Sequence, residues 1–220
     1  KSAVTGGAMQ KGDPRWLDMS EIGPVLTGDN RALKGGGPVK AMIVQNTNPA
    51  SVAPDQTLTH AGLARDDLFL VVHEQFMTET AEFADIVLPA TMFLEHNDYY
   101  TRGGHVRVLY GPALIHPPGE ARSNHEVINA LALRLGLDDD TFSTVDRDVV
   151  AETFRRSGYP PLDEVEKTGF VDRERPDAVA RFADGFAWPD KRFRFRPDWQ
   201  AVADKKGYLW TCDPADMPRF

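Results

Sequence analysis

Three short apolar runs, each followed at once by polar residues, constrain the fold of this 220-residue chain more than any other feature. The runs occupy residues 40–45, 68–73 and 85–88, and the third stops at Pro89. Apolar runs of this length between polar turn residues are typical of strands that are buried on both faces. The segments between them are long enough for helices, so the pattern predicts an α/β fold with an open, mainly parallel sheet flanked by helices.

Helices are predicted between and after these strands. Residues 57–65 have helical character, and another helix is expected to begin at Thr78. Residues 123–126 read Ser-Asn-His-Glu, which has the form of a capping box, because Ser123 can accept from the backbone while Glu126 reaches back. Apolar residues then follow at helical spacing, and Gly136 can end this helix in a left-handed conformation.

Composition divides the chain into three parts. Residues 1–38 are rich in glycine and polar residues, so we expect a connecting segment with little regular structure. Strands and helices alternate in residues 39–137, which are predicted to form an α/β domain with a Rossmann-like sheet. Residues 138–220 are expected to be a helical and irregular extension, with a short helix over residues 148–156 and an edge strand over residues 193–196.

Charge and composition exclude several classes of function. The formal net charge of −8 argues against a general attraction to nucleic acid. No apolar run reaches the roughly 18 residues of a membrane span. The single cysteine, Cys212, excludes an internal disulfide and an iron–sulfur cluster held by this segment alone. One cysteine favours the cytoplasm only weakly, because an exported protein can also lack disulfides, so the location stays open.

The usual motifs for catalysis or metal binding are absent from the sequence. The six histidines form no His-x-x-x-His pair and have no cysteine partners, which argues against zinc. There is no Gly-x-Ser-x-Gly nucleophile motif, and Arg102-Gly-Gly is too short for a phosphate-binding loop. We therefore assign no catalytic residue and no metal ligand to this segment.

Polar segments follow all three predicted strands. They are residues 46–49, residues 74–80 and residues 95–98. In open α/β sheets, ligands lie outside the carboxyl ends of the strands, near a topological switch point. We therefore expect these three segments to converge on one ligand site.

The same segments resemble a known family. Asn-x-Asn-Pro at residues 46–49, Thr-x-Thr-Ala-x-x-Ala-Asp-Ile-Val-Leu-Pro at 78–89, Glu-His at 95–96 and Pro-Gly-Glu-Ala-Arg-Ser-Asn at 118–124 are similar to the molybdopterin oxidoreductases. This family includes dimethyl sulfoxide reductase, formate dehydrogenase and periplasmic nitrate reductase. Its members hold molybdenum or tungsten on two pterin guanine dinucleotides. The resemblance covers roughly residues 18 to 137, and its ordered motifs together are more specific than any one alone.

The resemblance implies a set of cofactor contacts. Glu74 stands where the family often has an Asp on the guanine edge, His96 where nitrate reductase relatives have Lys, and Asn124 where several relatives have Asp. Each candidate has an ordinary alternative: turn formation for the asparagines after the first strand, helix capping for Thr78, and a surface loop for His96. The candidate cofactor-binding residues are Asn46, Asn48, His73, Glu74, Thr78, His96 and Asn124.

The resemblance also implies a larger enzyme. The chain then represents an internal piece, with the metal ligand and any iron–sulfur motif upstream and a barrel domain downstream. Its partners would be the other domains of the same polypeptide and an electron-transfer subunit. The piece would neither bind the cofactor nor act alone. Two alternatives stay open: a cofactor-free scaffold subunit of the same fold, and a flavodoxin-type nucleotide module, which would need a phosphate loop that we do not find.

Overall fold

The computed structural model describes residues 15–101, 105–137, 140–172, 185–186 and 189–195. The chain divides into two compact units, residues 1–173 and 174–220. All helices and strands below belong to the first unit. In the second unit, residues 193–195 are described and form no strand, contrary to the edge strand predicted over 193–196.

A three-stranded parallel sheet forms from the predicted apolar runs. Its strands are β1 (Ala41–Gln45), β2 (Phe69–Glu74) and β3 (Ile86–Pro89), in the order β1-β2-β3. In the register, Val44 lies opposite Val72 on the neighbouring strand. The prediction of an α/β fold with parallel strands is therefore confirmed, since each strand falls within one residue of its apolar run.

Four short helices cover one face of this sheet. They are α1 (Ile22–Thr27), α2 (Pro49–Val52), α3 (Gln56–Leu63) and α4 (Glu79–Glu82). Helices α3 and α4 confirm the helices predicted near residues 57–65 and at Thr78. The helices and strands share one buried core, to which they contribute Leu26, Val44, Leu63, Leu70, Val72 and Ala81.

Helix α1 contradicts the expectation of little regular structure in residues 1–38. Pro24 lies in its first turn, where the backbone needs no amide donor. Two glycines let α1 and α3 approach closely: a Cβ atom on Gly62 would lie 2.4 Å from the Cβ of Leu26, and one on Gly23 would lie 2.9 Å from the backbone nitrogen of Thr59. Gly23 therefore serves helix packing inside a segment that was predicted to be irregular.

A second, antiparallel sheet was not predicted. It contains β4 (Asp98–Tyr100), β5 (Arg107–Gly111) and β6 (Phe170–Asp172), in the order β4-β5-β6. The prediction of a mainly parallel sheet therefore accounts for only half of the described strands. Strands of three to five residues give too short a pattern to identify, and β6 comes from a distant part of the chain.

Two helices close the core of the antiparallel sheet. Helix α6 (Asp146–Arg156) begins two residues before the predicted helix over residues 148–156, and α7 (Leu162–Thr168) was not predicted. Their apolar side chains pack with those of β5, so residues on both sides of the boundary proposed at position 137 share one core. This core contains Val108, Tyr110, Val150, Phe154, Leu162 and Val165.

Helix α5 (Asn124–Arg134) lies beside the parallel sheet and begins as predicted. The Ser123 hydroxyl accepts from the backbone nitrogen of Glu126 at 3.2 Å, and the Ser123 nitrogen donates to the Glu126 carboxylate at 2.7 Å. Gly136 follows with a φ of 74°, in the left-handed region. Among the described residues, no helix has the length and apolar character needed to cross a membrane.

Candidate functional site

The carboxyl edge of the parallel sheet borders a cavity of about 380 Å³. We call it the polar pocket and define it by six of its lining residues: Asn46, Gln75, Thr91, His96, Tyr100 and Asn124. Three of the seven predicted cofactor contacts therefore line one cavity. They come from three separate places in the sequence: the loop after β1, the loop after β3 and the first turn of α5.

The three predicted residues in the polar pocket have unused hydrogen-bonding capacity. Asn46 has a φ of 50°, and its backbone nitrogen donates to the carbonyl of His73 at 3.0 Å. Within the described residues, the side-chain amides of Asn46 and Asn124 make no hydrogen bond. Nδ1 of His96 bonds to the Thr91 hydroxyl at 2.7 Å, which leaves its Nε2 without a protein partner in the described part of the chain. Two amides and one imidazole nitrogen are thus open to a ligand.

The imidazole of His96 is held in place by buried neighbours. Thr91 is nearly inaccessible to solvent, and its carbonyl accepts from Nε2 of Gln75 at 2.9 Å. This bond joins the loop after β2 to the loop after β3. Gln75 was not predicted from the sequence, because its side chain bonds to a backbone carbonyl 16 residues away, and such a contact leaves no motif.

A second polar network holds the loop between β3 and β4 against the antiparallel part of the molecule. The backbone nitrogen of Asn97 donates to the Asp146 carboxylate at 2.8 Å, and its side-chain amide donates to the same carboxylate at 3.1 Å. The Asn97 side-chain oxygen accepts from the Tyr110 hydroxyl at 2.7 Å. Because Asn97 bonds to α6 and β5 at once, the loop that carries His96 has a fixed position.

Tyr100 is a pocket residue that sequence analysis did not identify. Its hydroxyl is buried and has no hydrogen-bond partner among the described residues. Burial raises the pKa of this hydroxyl, and the nearby Asp98 carboxylate raises it further. Tyr100 therefore keeps its proton at neutral pH. The aromatic pair at residues 99–100, directly after a polar cluster, was the signal that could have identified it.

Asn48 lies outside the polar pocket and holds two loops together. Its side-chain oxygen accepts from the Thr80 backbone nitrogen at 3.2 Å and from the Thr80 hydroxyl at 2.7 Å, while its Nδ2 donates to Glu79 at 2.6 Å. We call Asn48, Glu79 and Thr80 the loop clamp. The hydrogen bond from Asn48 is the main cause of the lowered pKa of Glu79. The clamp fixes the loop after β1 to the start of α4.

His73 is completely buried, and both of its ring nitrogens are engaged. Nδ1 lies 3.1 Å from the Gln45 amide nitrogen, and Nε2 lies 3.0 Å from the Arg122 carbonyl oxygen. An amide nitrogen can only donate and a carbonyl can only accept, so this geometry assigns the ring proton to Nε2. His73 thus connects β1, β2 and the segment before α5 rather than presenting a free nitrogen.

Glu74 and Thr78 lie along the same sheet edge but do not line the polar pocket. One carboxylate oxygen of Glu74 accepts from the backbone nitrogen of Gln75 at 2.7 Å, and the side chain is half-buried. The Thr78 hydroxyl accepts from the Ala81 nitrogen at 3.3 Å and so caps α4. No group of three potential metal ligands occurs among the residues that the structure describes.

Comparisons with known proteins agree with the motifs at this edge. The family model described as molybdopterin oxidoreductase matches residues 24–134. These residues include the parallel sheet, the loop clamp and all six residues that define the polar pocket.

Two curated relatives and one solved structure are similar to the chain over most of its length. A probable oxidoreductase, YoaE, from Bacillus subtilis is 37% identical over 153 residues, which is 70% of this chain and 22% of the relative. A nitrate reductase from Symbiobacterium thermophilum is 27% identical, and the match covers 84% of this chain and 26% of the relative. The structure of acetylene hydratase from Pelobacter acetylenicus is 27% identical with a TM-score of 0.56, over 76% of this chain and 23% of that one. The chain thus spans about a quarter of these proteins.

Proposed function

The chain belongs to the molybdopterin oxidoreductase family, and from that premise we propose that its α/β part holds the guanosine end of a pterin guanine dinucleotide. The parent protein is then a molybdenum or tungsten enzyme. It carries out a two-electron oxidation or reduction, or an oxygen-atom transfer, on a small substrate. These 220 residues alone are proposed to be inactive, because the substrate and the metal ligand belong to other parts of such an enzyme.

The polar pocket is the observation that supports this proposal. Its volume of about 380 Å³ lies within the range of small-molecule sites. Amide and imidazole groups both donate and accept, and guanosine presents both kinds of group on its base and ribose. The open side chains of Asn46, His96 and Asn124 are therefore chemically suited to a nucleoside. The pocket also lies at the carboxyl edge of a parallel sheet, where α/β proteins bind such ligands.

Glu74 does not line the polar pocket, but it lies at the same edge of the sheet and is proposed to contact the guanine base there. A carboxylate can accept from both the ring nitrogen and the exocyclic amine of guanine. One oxygen of Glu74 already accepts from the chain, and the other has no partner among the described residues. Thr78 is proposed to contribute at the start of α4.

The other predicted residues are proposed to position these contacts. The loop clamp holds the loop after β1, and His73 holds the segment before α5 against the sheet. When bound, the cofactor supplies a metal centre that can change oxidation state. The residues of this chain bind and orient its nucleotide end.

The parent protein's other domains, and an electron-transfer subunit, are the proposed partners. The second candidate is a cofactor-free scaffold subunit with the same fold. The replacement of Asp by Glu at position 74, and by Asn at position 124, favours this candidate. The intact motifs at residues 46–49 and 78–80 favour the cofactor-binding enzyme.

The decisive experiment measures cofactor content in the full-length parent protein. The protein is purified from a host that makes the cofactor, and molybdenum, tungsten and released pterin are quantified. We expect both metal and pterin in the wild-type protein and a severalfold loss in His96→Ala and Asn124→Ala. The matched control is His116→Ala, an exposed histidine outside the polar pocket. Absence of metal and pterin, in a host that loads a known enzyme of this family, would establish the scaffold instead.

A further inference from the structure

The tautomer of His96 in the polar pocket follows from the burial of its neighbour Thr91. Nδ1 of His96 lies 2.7 Å from the Thr91 hydroxyl, and Thr91 is only 3% exposed. Among the described residues, this nitrogen is the one hydrogen-bond partner of that hydroxyl. The hydroxyl proton is therefore either donated to Nδ1 or buried without an acceptor.

The burial of the hydroxyl favours donation to Nδ1. A hydroxyl both donates and accepts, whereas a ring nitrogen of a neutral imidazole does one or the other, depending on whether it carries the ring proton. If Nδ1 carried that proton, it would donate to the Thr91 oxygen and leave the hydroxyl proton unpaired. The cost of a buried unpaired donor favours the opposite arrangement by about fivefold to a hundredfold. Nδ1 is therefore the acceptor, and the ring proton lies on Nε2.

This proton fixes what His96 can offer to a ligand. Nε2 is the ring nitrogen that has no protein partner in the described part of the chain, and His96 lines the polar pocket. With the ring proton on Nε2, His96 can donate a hydrogen bond to a ligand but cannot accept one. The amides of Asn46 and Asn124 can each present an oxygen or a nitrogen, so they impose no such polarity.

We propose that Thr91 sets His96 as a hydrogen-bond donor and that the bound ligand places an oxygen atom against Nε2. This inference rests on the function proposed above and deepens it, because the acceptor would be an oxygen of the nucleotide end of the cofactor. Thr91 is a positioning residue, since it acts on the ligand only through His96. The hydrogen bond from Gln75 to the Thr91 carbonyl holds Thr91 in place.

The first test is chemical modification of the full-length parent protein, purified from a host that does not make the cofactor. Diethyl pyrocarbonate acylates the imidazole nitrogen that lacks the ring proton, and peptide mass spectrometry follows each histidine separately. In the wild-type protein that nitrogen of His96 is Nδ1, which is bonded to Thr91. Thr91→Val removes the hydroxyl, so the ring proton can move to Nδ1 and leave a free lone pair on Nε2. We expect Thr91→Val to accelerate modification of His96 about fivefold or more, and Thr91→Ser to restore the wild-type rate.

His116 is the internal reference for this test. It is an exposed histidine outside the polar pocket and should react at the same rate in all three proteins. Modification of His96 in the wild-type protein as fast as that of His116 overturns the proposal, because Nε2 would then carry a free lone pair. Slow modification of His96 in both the wild-type protein and Thr91→Val also overturns it, because burial alone would then protect the ring.

The second test measures released pterin in the parent protein from a host that makes the cofactor. A lysine side chain can only donate and a methionine side chain cannot donate, so His96→Lys should retain severalfold more pterin than His96→Met. Thr91→Val should lose pterin severalfold, while Thr91→Ser should retain it. Thr57→Val, at an exposed threonine on α3, is the matched control and should match the wild-type protein. Equal pterin content in His96→Lys and His96→Met overturns the donor role.

The two tests separate this proposal from the proposed function. If no protein contains pterin but Thr91→Val accelerates modification of His96, cofactor binding is refuted and the donor assignment of His96 stands. If the wild-type protein contains pterin but Thr91→Val leaves the modification rate unchanged, the role of Thr91 is refuted and the proposed function stands.

Discussion

The parallel sheet and the antiparallel sheet differ in how completely they bury their apolar faces. In the antiparallel sheet, Val108 packs under Phe154, and both are fully buried. In the parallel sheet, one face has a closed core, while the other exposes Phe69 and its neighbours. The antiparallel part therefore buries its apolar side chains more completely than the parallel part does. Stability should respond to substitution accordingly.

The largest expected effect is in the closed core. Phe154→Ala removes a ring that packs edge-on against Tyr99 and Tyr159, with centroids 6.1 and 5.6 Å away. We expect the free energy of unfolding to fall by about 3–5 kcal/mol. Phe69→Ala, on the open face, should cost less than about 1 kcal/mol in the 220-residue chain. Denaturant titration measures both, and equal losses would remove the distinction between the two sheets.

A smaller loss is expected at the loop clamp of the parallel sheet. Thr80→Val keeps the shape of the side chain but leaves the buried amide of Ala50 without the hydroxyl that accepts from it at 3.0 Å. We expect a loss of about 1–3 kcal/mol by denaturant titration. Thr57→Val is the control, because Thr57 is exposed on α3 and its side chain makes no hydrogen bond within the described residues. A loss no larger than in the control would show that the clamp adds no stability.

The two eleven-residue helices offer a third contrast, since one helix has a side-chain cap and the other does not. Ser123→Ala removes the cap of α5, beside the parallel sheet, and should cost about 1 kcal/mol. Ser123→Thr retains a hydroxyl and should recover most of the loss. Thermal unfolding followed by circular dichroism gives both values. Equal stability of Ser123→Ala and the wild-type protein would contradict the role of the cap.

The converse change is available at α6, in the antiparallel part. Val145 precedes this helix with extended backbone angles, and its apolar side chain makes no capping hydrogen bond. Val145→Ser supplies a hydroxyl at that position, and we expect a gain of about 0.5–1 kcal/mol in the free energy of unfolding. The comparison variant Val145→Ala lacks the acceptor and should show no gain. A gain in both variants would point to another cause.

The smallest effect concerns the surface of α6. Hydrogen bonds from Arg155 and then Arg156 lower the pKa of Glu152 to about 2. A lowered carboxyl pKa stabilises the folded state above the ordinary pKa of glutamate, and this contribution disappears as the pH falls towards 2. The melting temperature of the wild-type protein should therefore exceed that of Glu152→Gln slightly at pH 7, with a difference that shrinks in acid. A difference independent of pH would contradict the ion pair as its source.

The sequence predicted the elements whose signals are local. Each parallel strand is one apolar run, and α5 is defined by Ser123 and Glu126 within four residues. The antiparallel sheet has no such signal, because β5 pairs with β6 about sixty positions later. Helix α1 was missed because residues 1–38 were interpreted as a connecting segment from their glycine and polar content, whereas the role of Gly23 depends on the distant helix α3.

In the candidate site, too, the local features could be predicted from the sequence and the contacts between distant residues could not. The positions of Asn46 and His96 after strands were enough to place them at one edge of the sheet. The sequence could not show that both nitrogens of His73 are engaged, because one partner is a backbone carbonyl 49 residues away. Nor could it show that the Tyr100 hydroxyl has no partner among the described residues, since an absent partner is a property of the packed structure. The roles of all seven residues in cofactor binding stay predictions.

The close approach of α1 and α3 through Gly23 and Gly62 bears on how this domain can be shortened. A version that begins at residue 39, where the alternating pattern starts, would remove Leu26 from the core and leave Leu63 facing water. Trimming for expression or crystallisation should therefore retain α1 and also Leu17, which packs against the cluster of Val25 and Leu33. The two glycines should also be left unchanged in any effort to raise helix propensity.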